Sequence, residues 1–275
     1  MEMNFTNKVV VVTGGASGIG RACVREFAIR GAAVAIVDCN AQNGREALAE
    51  MRDKAYTADY FNCDLAVAAE VEQMTNAVAG RFGGIDVLVN NAGIQRYGTV
   101  VSVSEQEWDE VLDANLKSAF LVSKYAIPRM MARGGGAIVI TGSVQSVVAQ
   151  RNSAHYVASK HGLLGLTRSI ALDFGKQNIR ANCVLPGTID TPMLHWAASL
   201  ASDPQRVIEA CDAMHIRGRI GTPEEVARVI VFLASDLASF VTGAAIAVDG
   251  GLLVPAGGMS FQESVTGGPQ AGPTR

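Results

Sequence analysis

The sequence predicts an α/β fold, a single doubly wound domain whose seven-stranded parallel sheet is covered by helices on both faces. Three observations predict it. Short runs of β-branched residues alternate with longer helical patterns along nearly the whole chain. Most of these runs are continuously apolar, as expected for strands that are covered on both faces. No shift in composition marks a boundary between two domains, although 275 residues could hold two.

The predicted elements follow in order along the chain. Strands are expected at residues 8–12, 33–37, 56–62, 85–90, 137–141, 180–185 and 245–248. Helices are expected at residues 18–30, 66–82, 104–131, 156–174 and 222–235. Two helices carry start signals, since Ser104 and Glu107 form a capping box and Thr222 is followed by Pro223 and by Glu225.

Two segments break this alternation. Residues 187–203 form a long connection without a strand, and we expect a lid or binding loop over about residues 187–215. Residues 255–275 are rich in glycine, proline and small polar residues, and are expected to form a tail that is flexible or docked on a neighbouring subunit. The sequence thus predicts one domain over residues 1–254, followed by this tail.

Composition excludes several classes of protein. Only 18% of residues are charged and 49% are hydrophobic, which excludes a disordered chain. The net charge of −3, without blocks of like charge, lacks the basic footprint of a nucleic-acid-binding protein. No apolar run is long enough for a membrane helix, and the polar N-terminus does not resemble a secretory signal. The five scattered cysteines predict no metal site and are expected to be buried free thiols in the cytoplasm.

A glycine-rich segment, TGGASGIG, follows the first predicted strand and opens the first predicted helix. Its Gly14, Gly18 and Gly20 allow the backbone to approach phosphate oxygens at a helix N-terminus. Asp38 ends the second strand, where a carboxylate can bond the hydroxyls of an adenine ribose. The same carboxylate would repel a 2′-phosphate, and no basic residue stands beside it to receive one. The glycine-rich segment and Asp38 together therefore predict NAD, rather than NADP, as cofactor.

Together with other motifs, this segment makes the chain resemble the short-chain dehydrogenase/reductase family over about residues 5–254. The motifs are TGGASGIG at 13–20, NNAG at 90–93, NLKS at 115–118, Ser143, YVASK at 156–160, PG at 186–187 and VDGG at 248–251. The resemblance implies a Rossmann-type fold and a homotetramer, in which the helices at 104–131 and 156–174 pair across one two-fold axis. It implies that the catalytic residues are Asn115, Ser143, Tyr156 and Lys160.

The chemistry of these residues supports the implied roles. Tyr156 and Lys160 are four positions apart and therefore share one helix face. An adjacent ammonium favours the phenolate, so Tyr156 is expected to accept the proton of an alcohol while hydride leaves the carbon. Ser143 is expected to hydrogen-bond the substrate oxygen. Lys160 is also expected to bind the nicotinamide ribose, and in the family the Asn115 position kinks its helix and holds a water linked to the lysine.

The resemblance also implies a set of cofactor-binding residues in the glycine-rich segment, at strand ends and in the loop after the sixth strand. They are Gly14, Ser17, Gly18, Ile19, Gly20, Asp38, Asp64, Leu65, Asn91, Ala92, Gly93, Tyr156, Lys160, Gly187, Ile189 and Thr191. For Asp64 a second interpretation stays open, as the N-cap of the helix at 66–82, and the two interpretations are compatible.

The substrate pocket is expected to be lined by residues after position 93, after position 143, before position 156 and in the predicted lid. These segments supply Gln95, Arg96, Gln145, Arg151, His155, Met193, His195 and Trp196. The mixture is more polar than expected for a fatty-acyl or steroid pocket. A loop arginine is more often solvated than bound to a carboxylate, and Trp196 could close the lid, stack on a sugar ring or contact another subunit. A sugar, a sugar acid or a small hydroxy acid is therefore favoured.

The sequence accordingly predicts an NAD(H)-dependent oxidoreductase that interconverts a secondary alcohol and a ketone or lactone on a small-molecule substrate. Two alternatives stay open. A 3-oxoacyl carrier-protein reductase usually needs NADPH and a basic docking patch, against which Asp38 and the net charge argue. A non-catalytic dinucleotide-sensing protein would need the glycine-rich segment but neither Tyr156 nor Lys160.

Overall fold

Seven parallel strands form one sheet in the computed structural model, which describes residues 3–254. The strands are β1 (Val9–Thr13), β2 (Ala33–Asp38), β3 (Ala58–Asn62), β4 (Val87–Asn90), β5 (Gly136–Thr141), β6 (Ile179–Pro186) and β7 (Ala245–Val248). They lie in the order β3-β2-β1-β4-β5-β6-β7, with every pair in parallel register. The winding reverses between β1 and β4, where the carboxyl ends of such sheets hold ligands. The predicted seven-stranded, doubly wound sheet is confirmed.

Helices cover both faces of this sheet. Within residues 3–254 they are α1 (Gly18–Ile29), α2 (Ala41–Asp53), α3 (Ala68–Phe82), α4 (Glu105–Leu112), α5 (Ser118–Ala132), α6 (Ala154–Phe174), α7 (Pro192–Ser199), α8 (Pro204–Met214) and α9 (Pro223–Ala234). Side chains alternate along a strand, so Val10 and Val12 of β1 pack in the apolar core with α1 and α9. Val9 and Val11 pack in the opposite core with α3, α5 and α6. Both faces of the sheet are therefore buried, as the apolar runs predicted.

The predicted helix at residues 104–131 is interrupted. Its capping box is confirmed, because Ser104 Oγ accepts the Glu107 N–H at 3.2 Å and the Glu107 carboxylate accepts the Ser104 N–H at 2.9 Å. Between α4 and α5, however, the backbone forms a π-helical turn (Asp113–Lys117). Asn115 lies at the centre of this turn, so the interruption coincides with the kink that the resemblance implies.

Several predicted boundaries differ from the observed ones. Strands β3 and β4 each begin two residues later than predicted. Helix α3 begins at Ala68 with Val67 as its N-cap, so the interpretation of Asp64 as a helix N-cap is wrong; Asp64 instead accepts the Ala66 N–H in the turn before the helix. The segment at 187–203 has no strand, as predicted, but it contains α7.

The cysteines are all free thiols within the described residues, and three of them are buried as predicted: Cys23, Cys63 and Cys183. The prediction of burial is wrong for Cys39, which is exposed, and for Cys211, which is half-buried. Cys39 follows β2 beyond the part of the strand that the helices cover, and Cys211 lies on α8, a helix with no buried residue.

The predicted tail at residues 255–275 lies outside the described residues, so its flexible or docked state stays a prediction. Across residues 3–254, no helix combines the length and the apolar character that a membrane crossing requires.

Asp86, immediately before β4, ties three elements together at the amino-terminal edge of the sheet. Its Oδ2 accepts the Val9 N–H at 2.8 Å at the start of β1. The same carboxylate pairs with Arg133, after α5, at 3.1 Å and 3.3 Å. Only 6% of Asp86 is exposed, so a buried charge is satisfied by both a backbone donor and a cation.

We expect Asp86→Ala to lower the free energy of unfolding by about 2 kcal/mol, because the Val9 N–H and the Arg133 guanidinium lose a buried acceptor. Urea unfolding followed by circular dichroism measures the change. Asp53→Ala, at the exposed end of α2, is the matched control and should change stability by less than about 0.5 kcal/mol. Equal stability of the two variants would show that the Asp86 contacts contribute nothing to the fold.

Candidate active site

The glycine-rich segment forms a tight turn between β1 and α1 that leaves no room for a side chain at Gly14 or Gly20. A Cβ on Gly20 would lie 2.0 Å from Gly14 O, and one on Gly14, whose φ is +61°, would lie 3.0 Å from Ala92 Cα. Ser17, the N-cap of α1, makes no side-chain capping bond, and the first helical turn has no acidic residue. N–H groups without a side-chain cap, close backbone approach and the absence of acidic residues in that turn fit the pyrophosphate of a dinucleotide.

Asp38 lies directly beside this turn. One carboxylate oxygen accepts the Ala16 N–H at 3.1 Å, and the other accepts the Asn40 N–H at 2.9 Å. Both bonds come from backbone donors rather than from a cation, so the carboxylate has lone pairs left for further donors. A carboxylate held in this way at the end of β2 fits the paired hydroxyls of a ribose.

The segment after β4 forms the opposite wall of the cleft. Asn91 Nδ2 donates to Thr13 O at 3.2 Å and to Gly14 O at 3.4 Å, which joins this segment to the glycine-rich turn. The Ala92 N–H donates to Thr13 Oγ1 at 3.2 Å. A Cβ on Gly93 would lie 3.0 Å from Asn115 Oδ1 and 3.7 Å from Lys160 Nζ. The three residues Asn91, Ala92 and Gly93 therefore bridge the turn and the catalytic candidates.

The Asn115 side chain makes three hydrogen bonds to protein partners. Its Oδ1 accepts the Ile94 N–H at 2.7 Å, and its Nδ2 donates to Ile94 O at 3.0 Å and to Ser159 Oγ at 3.1 Å. Asn115 is 1% exposed. The π-helical turn therefore places the Asn115 carboxamide where it hydrogen-bonds both the segment after β4 and helix α6.

The other catalytic candidates meet at the carboxyl ends of β5 and β6. Tyr156 and Lys160 share a face of α6, with Lys160 Nζ 5.5 Å from the centre of the Tyr156 ring. Lys160 Nζ donates to Thr141 O at 2.9 Å, and Ser143 follows the same strand, β5. Ser143 Oγ accepts the Gln145 N–H at 3.1 Å. Asn115, Ser143, Tyr156 and Lys160 are all at most 9% exposed, so the structure gathers the predicted residues in one buried group.

Burial dominates the electrostatics of this group. It raises the pKa of Tyr156 to about 12, against the opposing effect of a hydrogen bond with Ser143 and with a further rise from Tyr97. It lowers the pKa of Lys160 to about 8. From the sequence, the neighbouring ammonium is expected to lower the pKa of Tyr156. The structure shows instead that desolvation of the phenolate outweighs the neighbouring groups.

The loop after β6 lies over the glycine-rich turn. A Cβ on Gly18 would lie 3.2 Å from Thr191 Cγ2, so the predicted carboxamide-binding segment lies against the glycine-rich turn. Ile189 pairs with Gly221 in an isolated parallel bridge, and the Asp190 N–H donates to Gly221 O at 2.9 Å. This segment is thus fixed to the chain that precedes α9.

The remaining predicted cofactor residues flank these elements. Ser17, Ile19 and Leu65 are partly buried, whereas Asp64 is exposed after β3. Gly187 ends the buried run of β6, where its N–H donates to Val248 O at 3.1 Å.

The predicted substrate residues differ in burial and in hydrogen-bond partners. Gln95 is buried and donates to Ser153 Oγ at 3.3 Å, while Arg151 and Met193 are exposed. Gln145 donates to Gln150, and its buried Oε1 has no partner among residues 3–254.

The two histidines differ in the same way. His155 is 1% exposed, and burial lowers its pKa. His195 is exposed and lies 2.7 Å from Asp190 Oδ1. His155 is therefore held inside the fold, whereas His195 forms a surface pair on α7.

An aromatic contact that the sequence analysis missed joins α7 to the segment after β4. Trp196 stacks on Tyr97 with ring centres 6.2 Å apart and an angle of 12°. Arg96 lies 5.6 Å from the Trp196 ring and pairs with Glu110 at 2.8 Å, so it is not a free cation for a substrate carboxylate. The sequence feature that could have pointed to Tyr97 is its position next to Arg96, shortly after the NNAG motif.

A known protein family matches the part of the chain that contains the glycine-rich turn and the catalytic candidates. The family model described as Enoyl-(Acyl carrier protein) reductase matches residues 14–253. The chain belongs to the short-chain dehydrogenase/reductase family. This membership makes the protein an oxidoreductase of a fold that binds a nicotinamide dinucleotide.

Three relatives illustrate the range of the family around this chain. The 3-oxoacyl-(acyl-carrier-protein) reductase of Thermotoga maritima is 38% identical over 252 residues, which cover 92% of this chain and 100% of the relative. D-threitol dehydrogenase of Mycolicibacterium smegmatis is 36% identical over 255 residues, with coverage of 92% and 95%. The ligand-free structure of Thermoplasma acidophilum aldohexose dehydrogenase matches with a TM-score of 0.85 and 39% identity, covering 93% of this chain and 98% of that one.

Burial of Lys160 predicts a pH-dependent stability. Its folded-state pKa of about 8 lies below the ordinary 10.5, so between these values the unfolded chain binds a proton that the folded protein has released. The contribution of Lys160 therefore rises with pH across this window. We expect the unfolding free energy of the wild type, minus that of Lys160→Met, to rise by about 1–2 kcal/mol from pH 7.5 to pH 10.

Chemical unfolding at a series of pH values measures this difference. Lys176→Met, at an exposed position, is the control and should give a difference that does not change with pH. A flat difference for Lys160→Met as well would contradict the lowered pKa.

Proposed function

We propose that this chain is an NAD(H)-dependent oxidoreductase that interconverts a secondary alcohol and a ketone or lactone on a small polar substrate. One observation carries the proposal. Tyr156, Lys160, Ser143 and Asn115 form one buried group at the edge of the sheet that also carries the glycine-rich turn. A dinucleotide-sensing protein would need the turn but no such group, so the grouping supports an enzyme.

The chain offers matching partners for each part of the cofactor. When bound, the nicotinamide ring supplies the acceptor or donor of hydride. The turn at residues 14–20 would hold the pyrophosphate, and Asp38 would accept hydrogen bonds from the adenine ribose hydroxyls. Lys160 would hold the nicotinamide ribose, while Ile189 and Thr191 would face the carboxamide. The uncompensated charge of Asp38 supports NAD over NADP, because a 2′-phosphate would meet it directly.

Tyr156 would carry the proton of the reaction at Oη. With a pKa of about 12 it holds this proton at neutral pH, and it is therefore suited to protonate a substrate oxygen during reduction. For oxidation it must first become a phenolate. Ser143 favours the phenolate through its hydrogen bond, and Lys160, whose pKa of about 8 keeps it largely protonated at neutral pH, adds positive charge nearby. Ser143 would also stabilise charge on the substrate oxygen.

The substrate side supports a polar molecule that bears hydroxyl groups. Gln145, two residues past Ser143, presents a buried amide oxygen that receives no hydrogen bond from any of the described residues. Tyr97 and Trp196 supply a flat aromatic wall. Relatives named D-threitol dehydrogenase and aldohexose dehydrogenase match over almost their whole length. A sugar or polyol is therefore favoured over an acid, since Arg96 is engaged by Glu110 and Arg151 lies in an exposed turn.

A 3-oxoacyl carrier-protein reductase stays as the second candidate, because a relative of that name is 38% identical. Preference for NADPH together with turnover of a 3-oxoacyl thioester would decide in its favour.

We further propose a homotetramer in the cytoplasm, with a substrate lid over residues 187–215. Exposed apolar side chains support subunit contacts through the predicted helices and the region before β7: Phe120 on α5, Leu172 on α6 and Phe240.

The first test is Tyr156→Phe, which removes only the hydroxyl. We expect kcat to fall by about 10²–10⁴-fold, because no other group at this position can take the proton. The assay follows NADH formation with a panel of polyols, aldohexoses and hydroxy acids. Tyr125→Phe, on α5, is the matched control and should keep wild-type turnover. Wild-type turnover by Tyr156→Phe would show that the proposed proton carrier is wrong.

The second test is Asp38→Asn, which removes the charge but keeps the shape. We expect the ratio of kcat/KM for NAD to kcat/KM for NADP to fall by at least about tenfold, since the repulsion of a 2′-phosphate is lost. Asp53→Asn, at the exposed end of α2, is the control and should leave the ratio within about twofold. An unchanged ratio in Asp38→Asn would refute the role of this carboxylate in cofactor choice.

A further inference from the structure

His215 follows α8 and is buried against the loop after β6. Only 4% of His215 is exposed. Its Nε2 accepts the Thr188 N–H at 3.1 Å, and its Nδ1 donates to Cys211 O at 2.7 Å. Because Nε2 can accept only when it carries no proton, these two contacts fix the neutral Nδ1–H form of the ring.

The imidazole also fits closely against the backbone around it. A Cβ on Gly187 would lie 2.8 Å from His215 Nε2, and one on Gly250 would lie 3.4 Å from its Cδ2. The ring therefore fills the space between the loop after β6 and the segment after β7.

Thr188 is held from two sides by these contacts. Its N–H donates to His215, and its carbonyl oxygen accepts the Gly221 N–H at 2.9 Å. The next residue, Ile189, is the one that pairs with Gly221 in the isolated bridge. Thr188 is therefore the anchor from which the chain runs to Thr191, which touches the glycine-rich turn.

We infer that His215 is a positioning residue for the cofactor: it holds Thr188 so that Ile189 and Thr191 face the nicotinamide side of the cleft. The inference rests on the proposed function, since it concerns binding of NAD(H). The contact also joins the two ends of the proposed lid, because Thr188 lies at its start and His215 at its end. His215 itself touches neither cofactor nor substrate in this role.

Two variants separate the two contacts of the ring. In His215→Gln, Oε1 lies as many bonds from Cα as Nε2 and can accept the Thr188 N–H. In His215→Asn, the shorter amide can still donate to Cys211 O but cannot reach Thr188. We expect His215→Asn to raise the dissociation constant of NADH and the KM for NAD by about tenfold, with kcat within about twofold of wild type. His215→Gln should bind NADH within about threefold of wild type.

Fluorescence titration with NADH measures the dissociation constants. Amide hydrogen exchange without cofactor gives a second readout, and the Thr188 amide should exchange faster in His215→Asn than in His215→Gln. Equal exchange and equal NADH binding in both variants would overturn the inference, as would a fall in kcat without a change in KM. If the wild type itself binds neither NADH nor NADPH, the proposed function fails, whereas the exchange comparison still tests the Thr188 contact.

Discussion

The hydrogen bonds of the Asn115 side chain hold together the three elements that form the candidate active site. Asn115 comes from the π-helical turn between α4 and α5, Ile94 from the segment after β4, and Ser159 from α6 between Tyr156 and Lys160. In a regular α-helix the Asn115 side chain would point in a different direction around the helix axis. The wider π-helical turn therefore allows its carboxamide to reach both Ile94 and Ser159. Placement of Tyr156 and Lys160 against the cofactor cleft depends on this junction.

Burial also shifts the pKa values of the catalytic candidates. A phenol and an amine in one dry pocket are both pushed towards their neutral forms, with the pKa of Tyr156 raised and that of Lys160 lowered. The two pKa values therefore move apart, from 10.0 for the tyrosine and 10.5 for the lysine to about 12 and about 8, so the tyrosine holds its proton more firmly than the lysine does. Positive charge that enters the pocket favours the phenolate and so lowers the pKa of the tyrosine, which allows it to accept a proton as well as to donate one.

Most of the fold and the grouping of the catalytic candidates could be predicted from the sequence, because they depend on short-range patterns. The apolar runs of β1 and β5, the capping box at Ser104 and the spacing of Tyr156 from Lys160 are all local. The missed features depend on contacts between distant segments. The stacking of Tyr97 on Trp196 joins residues 99 positions apart in the sequence, and the dominance of burial over the Lys160 charge follows only from packing around Tyr156.

The Tyr97–Trp196 stack places a natural fluorophore at the contact between α7 and the segment after β4. The chain contains only two tryptophans. Trp108 lies on α4, whereas Trp196 lies on α7 and contacts Tyr97 and Arg96 on the other side of the cleft. A stack of this kind contributes only about 0.5–1.5 kcal/mol, which thermal fluctuations can break. Movement of α7 as the proposed lid would separate the Trp196 indole, which is 39% exposed, from Tyr97 and Arg96, and its emission spectrum would report that separation without any added label.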